Sequence, residues 1–287
     1  MRFAVIVLFA LLAAPVHAAE AATSVPVAFE NAGAKLDGTL HLPKSKPIAA
    51  AVLIHGSGRT ERMTGLARML ADEGIATLTY DKRGVGRSGG SYEGADNVSA
   101  RNLALLADDA AAAFAALARH ESLAGVPAGY LGLSQAGWIA PMAAAKSPEA
   151  RFMGLWSGPV ATTSEELHFS ALAEKNQGHG GDHDHGAMPS PAEITRFVAS
   201  VPRRADDVDP RLSIAKLDIP ALWLFGAEDT SIPVALSVRR LIDLISVGQT
   251  NLSYQILAHE EHNLVDRPTQ PAFPAMVSWV KAVAAGR

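Results

Sequence analysis

One hydroxyl in this chain sits where it could attack a carbonyl carbon. The stretch Gly129-Tyr130-Leu131-Gly132-Leu133-Ser134-Gln135-Ala136-Gly137 runs from apolar residues, through a serine flanked by small residues, into a helix-forming segment. A strand–turn–helix of this kind lifts its serine onto the crest of a sharp turn at the carboxyl edge of a sheet. The neighbours must be small, because strand and helix nearly touch there and the turn demands unusual dihedrals. Gly132 and Ala136 meet that need, and Gly137 leaves room behind them. A serine in an ordinary βα turn is the plainer reading, and only context decides between the two. Acyl transfer from such a serine needs a base, a group that orients the base, and donors for the oxyanion. Asp229 follows an apolar run in Gly226-Ala227-Glu228-Asp229, with Glu228 as its rival and a helix N-cap as its plainer role. His259 and His262 both follow the last apolar run, Gln255-Ile256-Leu257. His55-Gly56-Ser57-Gly58 closes another such run, and its glycines would let backbone N–H groups face a ligand.

These residues need a scaffold, and the hydrophobic pattern supplies one. Val25 to Glu30 and Lys35 to Leu42 read as strands joined by the turn Asn31-Ala32-Gly33, a hairpin at one sheet edge. Ala49–Ile54 is a continuous apolar run, as expected of a strand buried on both faces, and Ile75–Tyr80 reads as the next buried strand. Tyr130–Ser134, Phe152–Trp156, Ala221–Phe225 and Leu252–Leu257 are further strands. Between and after them, helical patterns cover Met63–Glu73, Ser99–His120, Gln135–Lys146, Pro233–Val247 and Phe273–Ala284. Strands alternating with helices specify an α/β protein with a mostly parallel sheet covered on both faces. Ligands in such sheets bind beyond the carboxyl ends of the strands, where every motif above falls. One segment breaks the alternation: Trp156 to Pro220 is polar and His-rich, with weak helical stretches at Glu165–Lys175 and Ala192–Val201. A connection that long is expected to be a cap over the site or an insert without fixed structure.

The serine segment resembles the nucleophile elbow of the α/β-hydrolase fold, with Ala136 where the commoner pattern has a second glycine. The segment Tyr80-Asp81-Lys82-Arg83-Gly84-Val85-Gly86-Arg87-Ser88 and the run from Gly132 to Pro141 resemble bacterial serine esterases of the dienelactone-hydrolase-like or serine-aminopeptidase-like group. The resemblance implies a central, mostly parallel sheet flanked by helices, with a cap inserted at about 159–212. It implies Ser134 as nucleophile, Asp229 rather than Glu228 as the acid, and His262 rather than His259 as the base. The N–H groups of Ser57 and Gln135 would form the oxyanion hole. Asp81 and Arg83 would be structural partners, and His55 a structural histidine bonding loop backbone. The reaction expected is cleavage of carboxylic esters through an acyl-enzyme, with no organic cofactor and no metal; peptides, amides, thioesters and lactones use the same machinery. A non-catalytic binding protein on this scaffold is the alternative from another class, disfavoured because the serine, aspartate and histidine are all present.

The resemblance implies a small acyl substrate as partner, and composition calls for no other. Of 287 residues 48% are hydrophobic and 19% charged, which suits one large core. A formal net charge of −4 is too near neutral to call for nucleic acid or an anionic membrane. There is no Cys, hence no disulfide framework and no thiolate nucleophile. Arg2, the apolar run Phe3–Ala14 and the small-x-small ending at Ala18 have the form of a secretory signal peptide, 1–18, too short for a membrane span. The hydrolase domain is then 19–287, periplasmic or secreted, with no stable membrane association. Gly178-His179-Gly180-Gly181-Asp182-His183-Asp184-His185-Gly186 holds plausible metal ligands. Its glycines favour a solvated loop of the cap, so no metal site is expected.

Overall fold

Each apolar run becomes a strand, and the first buried one shows why it carries no alternation. In the computed structural model, which describes residues 23–94, 97–177 and 189–286, β3 (Ala49–Ile54) sends Ala50, Val52 and Ile54 into one core and Ala49, Ala51 and Leu53 into another. Both faces are dry, so both parities are apolar. The sheet begins with a hairpin, β1 (Thr23–Asn31) and β2 (Ala34–Leu42), turning through Ala32 and Gly33 at φ 46° and 72°. Beyond β3 come β4 (Ile75–Tyr80), β5 (Ala128–Leu133), β6 (Met153–Trp156), β7 (Ala221–Gly226) and β8 (Leu252–Leu257). They lie in the order β1-β2-β4-β3-β5-β6-β7-β8. β1 and β2 pair antiparallel, and β2 joins β4 antiparallel; the remaining pairings are parallel.

The helices divide between the two faces. α1 (Thr64–Asp72) and α8 (Ala272–Ala284) close one core through Leu66, Leu70, Phe273, Met276 and Val280. α2 (Ala100–Ala118), α3 (Ala136–Ala144) and α7 (Val234–Ser246) close the other. Leu70 is fully buried, so truncating it to Ala would cost about 2–5 kcal/mol. α2 starts where Ser99 Oγ accepts the Asn102 N–H at 3.1 Å, a serine N-cap. It ends two residues earlier than the Ala-rich pattern suggests, and a short 3-10 turn, Glu121–Leu123, follows. α1 stops against Gly74, whose φ of +89° few other residues adopt.

Between β6 and β7 the chain leaves the sheet for α4 (Thr163–Gln177), α5 (Pro191–Ser200) and the short α6 (Arg211–Ile214), which no periodicity announces. α5 carries a full capping box between Ser190 and Glu193 and has no buried residue of its own. The segments read as signal peptide and as His-rich loop lie outside the described residues. Among the described residues no helix is long and apolar enough to cross a membrane.

The connections place the site. After β3 the chain passes to β4 on one side, then returns to β5 on the other, so β3 and β5 are neighbours whose outgoing connections diverge. A crevice opens above their carboxyl ends at such a switch point. Ile54 is paired with Gly132 there, which sets His55-Gly56 beside Ser134.

Candidate active site

Ser134 leaves β5 at φ +50°, a left-handed conformation a non-glycine residue takes only when its surroundings enforce it. Its N–H donates to Trp156 O at 2.9 Å, and its carbonyl accepts the Gly137 N–H at 2.8 Å to start the turn into α3. The need for small neighbours is visible in the distances. A Cβ on Gly132 would lie 2.5 Å from the Ala136 Cβ, and one on Gly137 would lie 2.5 Å from Pro159 N. Ala136 is therefore as large as the crossing of strand and helix allows.

The structure brings Ser134, His262 and Asp229 into one hydrogen-bonded chain. His262 Nε2 lies 2.9 Å from Ser134 Oγ, and His262 Nδ1 lies 2.8 Å from Asp229 Oδ2. A carboxylate only accepts, so Nδ1 carries the proton and Nε2 is free to take one from the hydroxyl. The other carboxylate oxygen, Asp229 Oδ1, accepts the N–H groups of Ser231 and Ile232 at 2.8 and 3.1 Å. That side chain is fully buried. Glu228 points elsewhere: it meets His259, which is 92% exposed, at 3.2 Å. The two acids and the two histidines thus sort into a buried pair joined to Ser134 and a solvated pair at the rim.

Two features hold the histidine loop that the sequence did not announce. Ser157, at the end of β6 with φ +50°, donates its Oγ–H to His262 O at 2.7 Å. Gly226, the last residue of β7, lies so close to the same loop that a Cβ would come within 2.3 Å of the carbonyl oxygens of Glu260 and Glu261. The Glu228 N–H then donates to Glu260 O at 2.9 Å.

On the other side of Ser134, a Cβ on Gly56 would sit 3.5 Å from Ser134 Cβ, so the turn after β3 closes the crevice. Ser57 is exposed and Gln135 buried. Among the described residues neither N–H donates to a protein acceptor. Lys82 underlies this wall. Its Nζ donates to Gly56 O at 2.6 Å, Gly58 O at 3.0 Å and Gln135 Oε1 at 3.1 Å. Only 1% of its surface is exposed, and desolvation lowers its pKa to about 8. The Gln135 amide in turn donates to Asn97 O at 2.7 Å.

His55 is buried at the end of β3 and its Nε2–H donates to Tyr80 O. Desolvation first, and the charge of Lys82 second, hold its pKa down at about 3, so it is a neutral strut between β3 and β4. Asp81 and Arg83 are structural, but not with each other. Asp81 accepts from Arg62 and from the Arg87 N–H. Burial alone would raise its pKa, yet these bonds bring it down to about 2. Arg83 instead pairs with buried Asp109 of α2. Among the described residues no three His, Asp or Glu side chains are grouped to hold a metal ion.

The excursion between β6 and β7 is anchored by charge. Glu165, fully buried at the start of α4, is gripped by Arg240 of α7 through both carboxylate oxygens. It also accepts from Arg203 at 3.0 Å and from the Thr162 N–H at 2.8 Å. Farther out, Phe197 of α5 stacks on His168 at 5.8 Å and meets Phe169 edge-on at 6.1 Å.

Comparison with known proteins agrees with this geometry. A family model described as serine aminopeptidase, S33, matches residues 45–179, the part that carries β3 through α4. No curated protein matches the sequence significantly. Among solved structures, the Pyrococcus furiosus esterase Pf2001 aligns over 92% of this chain and 91% of its own, with a TM-score of 0.65 at 17% identity. An acylaminoacyl peptidase of Pyrococcus horikoshii aligns over 91% of this chain but 41% of its own, with a TM-score of 0.63 at 16% identity. A dienelactone hydrolase from Anabaena variabilis aligns over 92% of this chain and 98% of its own, with a TM-score of 0.53 at 16% identity. With a sheet of this order, an elbow at its switch point and these likenesses, the chain has the α/β-hydrolase fold.

Proposed function

We propose that the protein cleaves carboxylic esters through an acyl-enzyme on Ser134. The observation that carries this is the Ser134–His262–Asp229 chain at 2.9 and 2.8 Å, mounted on a left-handed serine. In the first half-reaction Ser134 Oγ attacks the acyl carbon while His262 Nε2 takes its proton. The tetrahedral oxyanion is received by the Ser57 and Gln135 N–H groups. His262 then returns the proton to the departing alkoxide, and water repeats the sequence to release the acid. Asp229 keeps the imidazole in the required tautomer. None of these steps needs a metal or organic cofactor.

An ester is favoured over an amide because its alkoxide leaves with little assistance. The full-length likeness to an esterase supports the same choice. Aminopeptidase action is the second reading, favoured by the S33 family model. Such an enzyme needs a carboxylate to receive the free α-amino group, and the rim acid Glu228, which faces His259, is the acid we assign to that role. A panel of p-nitrophenyl esters of graded chain length beside aminoacyl p-nitroanilides decides between them. Ester turnover at least tenfold above anilide turnover supports the esterase, and the reverse ranking overturns it.

In this reading α4 to α6, with the connecting residues of about 159–212, form the cap that roofs the acyl pocket. Residues 1–18 direct export and are removed after Ala18. N-terminal sequencing of protein from the periplasm or medium tests this; recovery of an intact Met1 there would overturn it.

A further inference from the structure

Lys82 is an ammonium buried in the molecule without a carboxylate bonded to it. Its three N–H bonds all end on neutral oxygens, and those oxygens belong to both walls of the crevice. Gly56 O and Gly58 O lie in the turn after β3; Gln135 Oε1 is on the residue following Ser134. The Lys82 backbone N–H takes a third carbonyl of the same turn, Thr60 O, at 3.1 Å. A buried charge of this kind is costly unless the fold uses it, since an apolar side chain of similar length would fill the space without the desolvation penalty.

We propose that Lys82 is a positioning residue for the oxyanion site, tying the Ser57 and Gln135 amides into one frame and placing positive charge behind them. This rests on the acyl-enzyme reading above. Three acceptors require three hydrogens, which only the ammonium has. The neutral amine has two hydrogens, so its lone pair must face a carbonyl, and one wall comes loose. The bond between the two loops and the charge that offsets the developing oxyanion are lost together.

Desolvation determines where that loss falls, and the nearby groups are neutral or turned elsewhere. His55 faces Lys82 from β3 and is neutral above about pH 3. Asp81, adjacent in the chain, is turned to Arg62 and the Arg87 N–H. Gln135 faces it from the start of α3 and carries no charge. Beyond Gly56 and Ser134 lie His262 and Asp229, bonded to each other. Deprotonation of Lys82 therefore falls near pH 8. Its folded pKa lies below the unfolded one, so the unfolded chain binds more protons above pH 8 and this group makes the fold more stable as pH rises. Alkaline loss of activity through Lys82 thus runs opposite to its effect on stability.

The test uses p-nitrophenyl butyrate with the full-length exported protein, with Ser134→Ala as reference. If Ser134→Ala retains turnover, the acyl-enzyme reading has failed and this inference fails with it. If turnover depends on Ser134, Lys82→Met is measured for folding, kcat and KM between pH 6 and 10. The expected result is a kcat about 100-fold lower, a KM within about threefold, and loss of the alkaline limb expected of wild type near pH 8. Should Lys82→Met not fold, Gln135→Glu decides: an anion against Nζ holds the ammonium, and the limb should move up by about one pH unit or more. A kcat for folded Lys82→Met within threefold of wild type, a wild-type kcat flat from pH 7 to 10, or a limb unmoved by Gln135→Glu each overturn the proposal.

Discussion

The carboxyl edge of the sheet and the excursion between β6 and β7 are held together by different means. At the edge, Ser134, Asp229 and His262 rise from the ends of β5, β7 and β8, of which β5 and β7 are buried on both faces and β8 closes the side of the sheet. Their positions are set by backbone: a left-handed serine, a glycine pressed against a loop, amides that bind one carboxylate oxygen. The excursion instead is tied to α7 through one buried carboxylate, Glu165, and a few hydrogen bonds at its start, while its own helices α4 and α5 meet through aromatic contacts. Reaction geometry that must hold to a fraction of an ångström sits on the stiff element. In the function proposed above, selection of the acyl group, which tolerates adjustment, falls to the part fixed by a few polar contacts.

The comparison is broken most completely at Ser134. Ser134→Ala should lower kcat/KM for a p-nitrophenyl ester by more than about 10³-fold and abolish fluorophosphonate labelling, with no change in melting temperature. Residual activity above that level would mean that another group forms the acyl-enzyme. The two histidines sharpen the point, being three residues apart on one loop. His262→Ala should cost about 10³-fold or more in kcat, whereas His259→Ala, at an exposed site, should stay within about threefold. Equal effects would place the base elsewhere.

Moving to the excursion, Glu165→Ala leaves Arg240 buried without its counter-charge, a loss of about 3–5 kcal/mol. Thermal unfolding should register it, while Ser134 still labels at temperatures where the fold persists. Burial alone would raise the Glu165 pKa, but the hydrogen bonds from Arg240 and Thr162 outweigh it and leave the pKa lowered. Its stabilisation is therefore present above the unfolded carboxylate pKa and is lost as pH falls through the folded one. Glu165→Gln should flatten the acid side of the stability–pH curve, and an unchanged curve would show that the pair contributes little. The smallest effect is expected from Phe197→Ala, which removes ring contacts worth about 0.5–1.5 kcal/mol. It should change the ranking of acyl chain lengths more than it changes turnover of the best ester. A unchanged ranking would separate α5 from the acyl pocket.

What was legible in the sequence follows the same division. Ala49–Ile54, Ile75–Tyr80 and Leu252–Leu257 were readable to the residue, because six-residue runs rich in apolar and β-branched or aromatic side chains are too short for helices and fit strands. The choice of Asp229 over Glu228 and of His262 over His259 came from resemblance; nothing in the local pattern separates neighbours of the same chemistry. The structure pairs each with a different partner. α6 was invisible, since four residues carry no period. Lys82 and Ser157 were missed for another reason: their partners are backbone carbonyls far along the chain, at Gly56, Gly58 and His262. A carbonyl has no residue type, so no pattern of side chains points to it. The pairing of Asp81 with Arg62 rather than Arg83 is a similar case, because adjacency in a motif says little about which way two side chains turn.

Gly226 carries a consequence for anyone who would re-engineer this site. There the segment bearing Asp229 and the segment bearing His262 cross with no side chain between them. The spacing from acid to base is thus gauged by the thickness of two peptide chains, as a machinist's shim gauges a gap, and no rotamer can take up an error. Loop grafts and insertions that leave this crossing alone keep the two mounts in register. One extra methyl at Gly226 acts as an oversized shim, moving the imidazole relative to a hydroxyl and a carboxylate that are themselves untouched.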